Sequence, residues 1–319
     1  MKIHKVILFS FIKVVRNFMY YIIREVLEKT SEEYVEKSNE KYVAVLNSKE
    51  WKARKDSFDF GIDIDLDTSE ILTTTADVNY DCLTGTFCIP DREDLTKELK
   101  FAFALDEKGI VFIDDSGVVE RIIFSIKTGR RWRFPSLERF IYDFLDFIIK
   151  NDFRIMENFE RELGFMEDNI TQDEELDPSR VNDMRSYIRD LKNHYEQLLD
   201  LGQIFEENEN NFFKQENIRY FHLFTNRIER LKDVSNSIRD YTIQVQDLYK
   251  SHLDIKQNHI ITMLTVITSI FMPLNLITGW FGMNFSNMFG LKRGYPFVVV
   301  ISVGIVIACL LFFKKKKWL

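Results

Sequence analysis

The sequence predicts an α+β soluble domain, then long α-helices, then a C-terminal hairpin of two membrane-spanning helices. Three observations lead there. Between residues 41 and 135, short β-branched and aromatic runs alternate with turn residues. From Ser136 onward the apolar spacing changes to threes and fours. Near the C-terminus, Ile260–Phe281 and Tyr295–Phe313 are both apolar. Each is long enough to cross a bilayer, which takes roughly 20 residues at about 1.5 Å rise per residue.

Composition agrees. The 319 residues are 29% charged and 45% hydrophobic, with a net charge of −7, as for a soluble domain joined to a short membrane part. Nothing before the C-terminal lysines is basic enough to bind nucleic acid. Cys82, Cys88 and Cys309 are odd in number and lack zinc-site spacing, so they read as unpaired thiols of a reducing compartment. The five histidines show no metal-site spacing and no catalytic constellation is visible. The chain therefore does not read as an enzyme, and no cofactor is expected. His252 and His259, beside the first span, are the two that a transition metal would meet.

The elements follow in order. Residues 1–40 read as an N-terminal helical extension, whose apolar stretch Val6–Ile12 is short for a signal segment, with Met19 as an alternative start. Residues 41–135 read as an α/β domain, with strands at Tyr42–Leu46, Phe58–Leu66, Thr86–Ile89, Leu99–Leu105, Ile110–Ile113 and Val119–Ile126. Residues 136–215 read as antiparallel helices, one opened by Ser136 and one by Asp177 with Pro178 at its first position. The acidic run Asp173–Asp177 is the connection between them. Residues 216–285 form a long stalk helix that continues into the first span at about 260–281. Its apolar positions Phe221, Phe224, Ile228, Leu231, Val234, Ile238, Tyr241, Val245 and Leu248 make a packing stripe. An outer loop at 286–294, a second span at 295–313 and a basic tail at 314–319 complete the chain. Lys314–Lys317 mark that tail as cytosolic.

The first span has two unlike faces. At about 100° per residue from Asn258, Thr265, Thr268, Ser269, Met272, Asn275 and Gly279 fall between roughly 260° and 20°. Met263, Val266, Ile267, Ile270, Leu274 and Ile277 take the opposite arc, while Ile261 and Leu276 are apolar on the first and Thr278 is polar on the second. Polar groups in a bilayer are costly unless they face protein or water, and one or two suffice to join helices. A stripe along the whole span predicts a water-lined path. Asp233, Asp240, Asp247 and Asp254, seven apart, extend the same face into the stalk. Around a symmetry axis each aspartate would become a carboxylate ring, which selects cations.

Gly282-Met283-Asn284, within Thr278–Phe285, stands at the outer end of the first span, with Phe271-Met-Pro-Leu274 before it and Gly294-Tyr-Pro296 opening the second. On these motifs the chain resembles the CorA family of divalent-cation channels. The resemblance implies a CorA-like funnel in the plasma membrane, a homopentamer with both termini cytosolic. It also implies that Gly282, Met283 and Asn284 form the entrance filter. Positions matching Asn258, Leu264 and Met272 then line or constrict the pore, to which the polar arc adds Thr265, Thr268, Asn275 and Gly279. Mg²⁺ is the implied transported and regulatory ion, with Co²⁺ or Ni²⁺ as passengers. Mg²⁺ dehydrates reluctantly, and carboxamide oxygens accept hydrogen bonds from its water shell without trapping its charge.

Two departures stand out. The outer loop reads Met288-Phe-Gly-Leu291 then Lys292-Arg293, with no acid, and the stretch Tyr220-Phe-His-Leu223 lacks the family's stalk sensor aspartate. Candidate gating residues are therefore Asp240, Asp247 and Asp254, and the alternating acidic face Asp59, Asp63, Asp65 and Asp67, which reads equally as an ordinary solvent-facing or edge-protecting strand. Two other readings compete: a Zn²⁺ transporter of the same superfamily, and a membrane-anchored coiled-coil scaffold. The scaffold predicts neither a polar stripe nor a fixed turn sequence.

Overall fold

Seven strands form one sheet: β1 (Met19–Ile23), β2 (Leu27–Thr30), β3 (Tyr42–Leu46), β4 (Thr75–Val78), β5 (Leu83–Pro90), β6 (Glu98–Leu105) and β7 (Gly109–Ile113), in the order β2-β1-β3-β7-β6-β5-β4. The computed structural model describes residues 19–55, 58, 68–92, 97–174, 177–282 and 294–316. β3 pairs with β7 in parallel, Val43 opposite Ile110, and every other neighbour is antiparallel. All five residues of β3 and of β7 are buried, as expected of central strands covered on both faces.

β6 shows how alternation builds two cores. Phe101 and Phe103 point to one side and Ala102 and Ala104 to the other, all fully buried. On the phenylalanine side the rings of Phe87 and Phe101 stack at 4.8 Å, and Phe112 meets Phe144 of α4 (Leu137–Ile148) at 4.5 Å. Such ring pairs add about 0.5–1.5 kcal/mol beyond area burial. On the alanine side the small residues leave room for Trp51 of α2 (Ser48–Arg54), packed with Leu46, Val111 and Ile113.

Three expectations change. Residues 1–40 were expected to be helical, but from Met19 the chain forms β1 and β2 and then the short α1 (Glu32–Lys37). Tyr20–Ile23 is a continuous buried apolar run, and its pairing with the distant β3 decides its state. Val119–Ile126 is not a strand but part of α3 (Val118–Gly129). Its buried residues Val118, Val119, Ile122, Ile123 and Ile126 follow helical spacing, which outweighs their β-branched chemistry. β4 was not anticipated. The proposed strand at Phe58–Leu66 lies outside the described residues, apart from Phe58.

The chain divides into two compact units, Met1–Phe165 with Asp177–Ile243, and Met166–Leu176 with Gln244–Leu319. The first holds the sheet, α1 to α4, and most of α5 (Asp152–Thr171), α6 (Pro178–Glu207) and the start of α7 (Arg219–Phe281). The caps fall where the sequence placed them. Ser136 Oγ accepts from the Arg139 N–H at 3.1 Å, and Asp177 Oδ1 accepts from the Ser179 N–H at 2.9 Å before Pro178. Each such cap contributes about 1 kcal/mol. The α7 stripe is buried at Phe221, Phe224, Ile228, Leu231 and Ile238 in this unit.

A buried polar pair ties β5's end to α5. Arg92 donates to both oxygens of Asp152, at 2.9 and 2.7 Å, and Tyr195 of α6 donates to the same carboxylate at 3.0 Å. Asp152 is 1% exposed, so this paired geometry is what makes its burial tolerable. Cys82 and Cys88 are free buried thiols, and burial pushes Cys88 up to about 12.

Candidate functional site

Among the described residues, two helices are long and apolar enough to cross a membrane: α7, whose later part lies in the second unit, and α8 (Gly294–Lys315). Only part of the apolar arc is covered within the single chain, since Met263 and Ile267 on it are exposed. Val266 is buried, and Thr262, Ser269, Ile270, Pro273, Leu274 and Ile277 are half-buried. Phe313 of α8 is buried as well. Asn258, Leu264, Thr265, Thr268, Met272, Asn275 and Gly279 are all exposed in this single chain. The expected pore residues thus share one unpartnered face, offset from the face that is covered. Ser269, placed on the polar arc by angle alone, lies at its edge and is half-covered.

Pro273 explains one detail of the covered face. A proline has no N–H to give the carbonyl four residues earlier, which here belongs to Ser269. The Cys309 thiol of α8 lies 3.8 Å from that oxygen and supplies a weak donor.

Three threonine hydroxyls of the span are bonded within the helix. Thr265 donates to the Ile261 carbonyl at 2.8 Å, and Thr268 to the Leu264 carbonyl at 2.7 Å. Thr278 donates to Leu274 at 3.0 Å. Their hydrogens are used inside the helix, so the exposed oxygens of Thr265 and Thr268 offer lone pairs outward. Between Lys256 and Phe281 the ionisable side chain is His259 alone. The exposed face is therefore neutral, with acceptors at Asn258, Thr265, Thr268 and Asn275 set among the exposed apolar Ile261 and Leu276.

At the end of α7 the Gly282 N–H donates to the Thr278 carbonyl at 2.9 Å. A Cβ on Gly282 would stand 2.9 Å from that same oxygen, so the backbone fits here because the residue is glycine. Met283 and Asn284 lie outside the described residues, as do the outer loop before Gly294 and Asp59, Asp63, Asp65 and Asp67.

The stalk aspartates are exposed, as the stripe requires, but not equivalent. Asp240 pairs with Arg239 at 2.9 Å and Asp247 with Lys250 at 3.4 Å. Asp254 has no ion pair among the described residues. Among those residues, no three His, Cys, Asp or Glu side chains gather as a metal site. His252 has a carboxylate partner. Its Nε2 lies 2.8 Å from Asp173 Oδ1, which Lys256 Nζ also contacts at 2.6 Å. The sequence did not reveal this clasp, since its partners sit on separate helical segments. Asp173 adopts a left-handed backbone, φ 67°, a conformation that aspartate tolerates better than most residues.

The family model described as "CorA-like Mg2+ transporter protein" matches residues 57–315. The cobalt/magnesium transport protein CorA of Thermotoga maritima is 28% identical over 205 residues, covering 63% of this chain and 58% of that protein. The magnesium transport protein CorA of Wolinella succinogenes is 38% identical over 97 residues, 28% of this chain and 30% of that one. The matched stretches thus span less than two thirds of these relatives. In fold, the chain is similar to the complete CorA magnesium transporter of Methanocaldococcus jannaschii, with a TM-score of 0.77 and 20% identity over 96% of this chain and 100% of that one. The cytoplasmic domain of ZntB from Vibrio parahaemolyticus aligns with a TM-score of 0.55 and 10% identity, over 75% and 99% of the two chains. With a family match that covers well over half of its length, this chain belongs to the CorA family.

Proposed function

We propose that this chain is a divalent-cation channel of the plasma membrane that carries hydrated Mg²⁺, and Co²⁺ or Ni²⁺ less selectively, through a homopentamer. The observation that carries the reading is the exposed face of α7 from Asn258 to Gly279, polar along much of its length and left without a partner in the single chain. Five copies around an axis would cover that face and turn it into a wall. Such a wall, neutral and with threonine donors already used, accepts hydrogen bonds from the waters of a hydrated cation. It does not bind the bare ion strongly enough to hold it. Asn284 would ring the entrance, and Met272 and Leu264 would form apolar constrictions. The lysines at the end of α8 support a cytosolic C-terminus and, with two spans, a cytosolic sheet-bearing unit.

Cytosolic Mg²⁺ serves in this reading as the gating ion as well as the cargo, and the stalk aspartates sense it. The likeness to ZntB concerns the fold and favours no ion. Purified protein in liposomes decides the matter, with uptake of Mg²⁺, Co²⁺ and Zn²⁺ compared with and without a pH gradient. Mg²⁺ uptake that needs no proton gradient is the expected result. Uptake of Zn²⁺ alone, driven by protons, would replace this reading with the zinc transporter.

A further inference from the structure

Helices α6 and α7 border a cleft of about 410 Å³ in the first unit. Its lining includes four cations, Arg185, Arg189 and Lys192 from α6 and Arg239 from α7, together with the hydroxyls of Ser186 and Ser235. No carboxylate belongs to that lining among the described residues. Positions 185, 189 and 192 follow helical spacing and so lie on one face of α6. On a chain of net charge −7, four cations around one cavity form a local concentration of the opposite sign.

The carboxylates nearby neutralise it only in part. Arg189 approaches its own neighbour Asp190 at 3.7 Å, Lys192 reaches Glu196 at 3.4 Å, and Arg239 holds Asp240 at 2.9 Å. These are solvent-exposed pairs of small net worth. Arg185 has no carboxylate partner among the described residues. Two contacts steady the wall. Ser186 Oγ accepts from Arg189 Nη2 at 2.8 Å, and the buried Ser235 donates to the Lys232 carbonyl at 2.7 Å.

We propose that this cleft binds a polyphosphate anion. Guanidinium forks match phosphate oxygens two at a time, and three of the four cations are arginines. The volume lies within the range of small-molecule sites, about 300–1,000 Å³. Four cations call for a multiply charged ligand rather than a halide or a single carboxylate. Ile188 is the one apolar residue of the described lining, so the contact is with the phosphate chain and little is offered to a base. With no acid to hold a metal, the cleft selects the free anion over its Mg²⁺ complex, in which two negative charges are already cancelled. Mg²⁺ therefore competes with the cleft for its ligand. The inference stands independently of the transport reading.

Calorimetric titration of the full-length protein in detergent tests it, in Mg²⁺-free buffer at fixed ionic strength. The probes are tripolyphosphate, ATP and orthophosphate. Tripolyphosphate and ATP are expected to bind with affinities within about tenfold of each other, and orthophosphate far more weakly. Arg185→Gln with Arg189→Gln should weaken tripolyphosphate at least tenfold, Lys192→Gln less, and Arg121→Gln on α3 not at all. Excess Mg²⁺ should weaken the wild type. ATP bound much more tightly than tripolyphosphate would identify a nucleotide as the source of the phosphates. Absence of binding, or binding undiminished in the double variant, would overturn the proposal.

Discussion

The thiol of Cys309 on α8 lies 3.8 Å from the carbonyl oxygen of Ser269 on α7, the oxygen that Pro273 leaves without its helical donor. In hydrocarbon an orphaned carbonyl is expensive, so this contact helps to fasten the two helices. Cys309→Ala should lower the thermal midpoint of the detergent-solubilised protein by an amount equivalent to about 1 kcal/mol or less. Cys309→Ser, with a stronger donor, should recover it. Equal midpoints for the Ala and Ser variants would show that the contact contributes nothing.

Asn284→Ala is expected to abolish divalent-cation flux while the oligomer remains assembled. A methyl group offers no acceptor to the water shell of an entering ion. Chromatographic size and flux measured on the same preparation check this. Normal Mg²⁺ flux in a correctly assembled variant would sink the filter assignment.

The stalk aspartates should differ in their effect on gating. Stacked carboxylates repel and favour splayed stalks, which Mg²⁺ would draw together. Asp240 and Asp247 already face Arg239 and Lys250, so Asp254 carries the least compensated charge. Asp254→Asn should therefore weaken inhibition by internal Mg²⁺ more than Asp240→Asn or Asp247→Asn, with maximal flux nearly unchanged. Identical inhibition curves in wild type and all three variants would place the sensor elsewhere.

The Asp173 clasp should depend on pH and salt. The Lys256 ammonium, and after it His252, hold the Asp173 carboxyl below the usual carboxylate range. A lowered carboxyl stabilises the folded form above the unfolded pKa, about 3.9, and that contribution is lost as pH falls through the lowered value. Amide exchange at Met166–Glu174 should be faster in Asp173→Asn than in wild type at neutral pH. The difference should shrink on acidification and in high salt. A difference that persists under both conditions would mean that another interaction holds this segment.

His194 should make the first unit acid-sensitive. It is fully buried, neither ring nitrogen makes a well-formed hydrogen bond among the described residues, and burial, with the Arg92 charge second, pushes its pKa well below normal. Below about pH 6.5 the unfolded chain takes up a proton that the folded chain refuses. Stability then falls by up to about 1.4 kcal/mol per pH unit from this residue. His194→Met should flatten the decline in urea midpoint between pH 6.5 and 5. An unchanged slope would assign the sensitivity to other groups.

The sequence made some of this legible and hid the rest for physical reasons. Ser136 and Asp177 declared themselves because a cap is a local hydrogen bond within three residues. The stripe from Asn258 to Gly279 was readable because helical phase survives any tertiary context. Val119–Ile126 misled because β-branched composition was weighed above spacing. β1 stayed hidden because its state depends on β3, a non-local partner. The Arg92–Asp152 pair and the clasp of Asp173 with His252 and Lys256 join residues far apart in the chain, and no periodicity encodes such a meeting.

The parallel pairing of β3 with β7 also imposes an order on assembly. During synthesis Val43 emerges long before Ile110, and antiparallel neighbours cannot replace that partner. The meander β5-β6-β7 can zip through short turns as it leaves the ribosome, whereas β1, β2 and β3 must wait as a separate flap until Ile113 is out. Closing so long a loop is entropically slow. The nascent chain thus holds an unfinished sheet edge, rich in apolar side chains, while its own later half is still being made. Its greatest exposure to aggregation falls before either membrane helix exists.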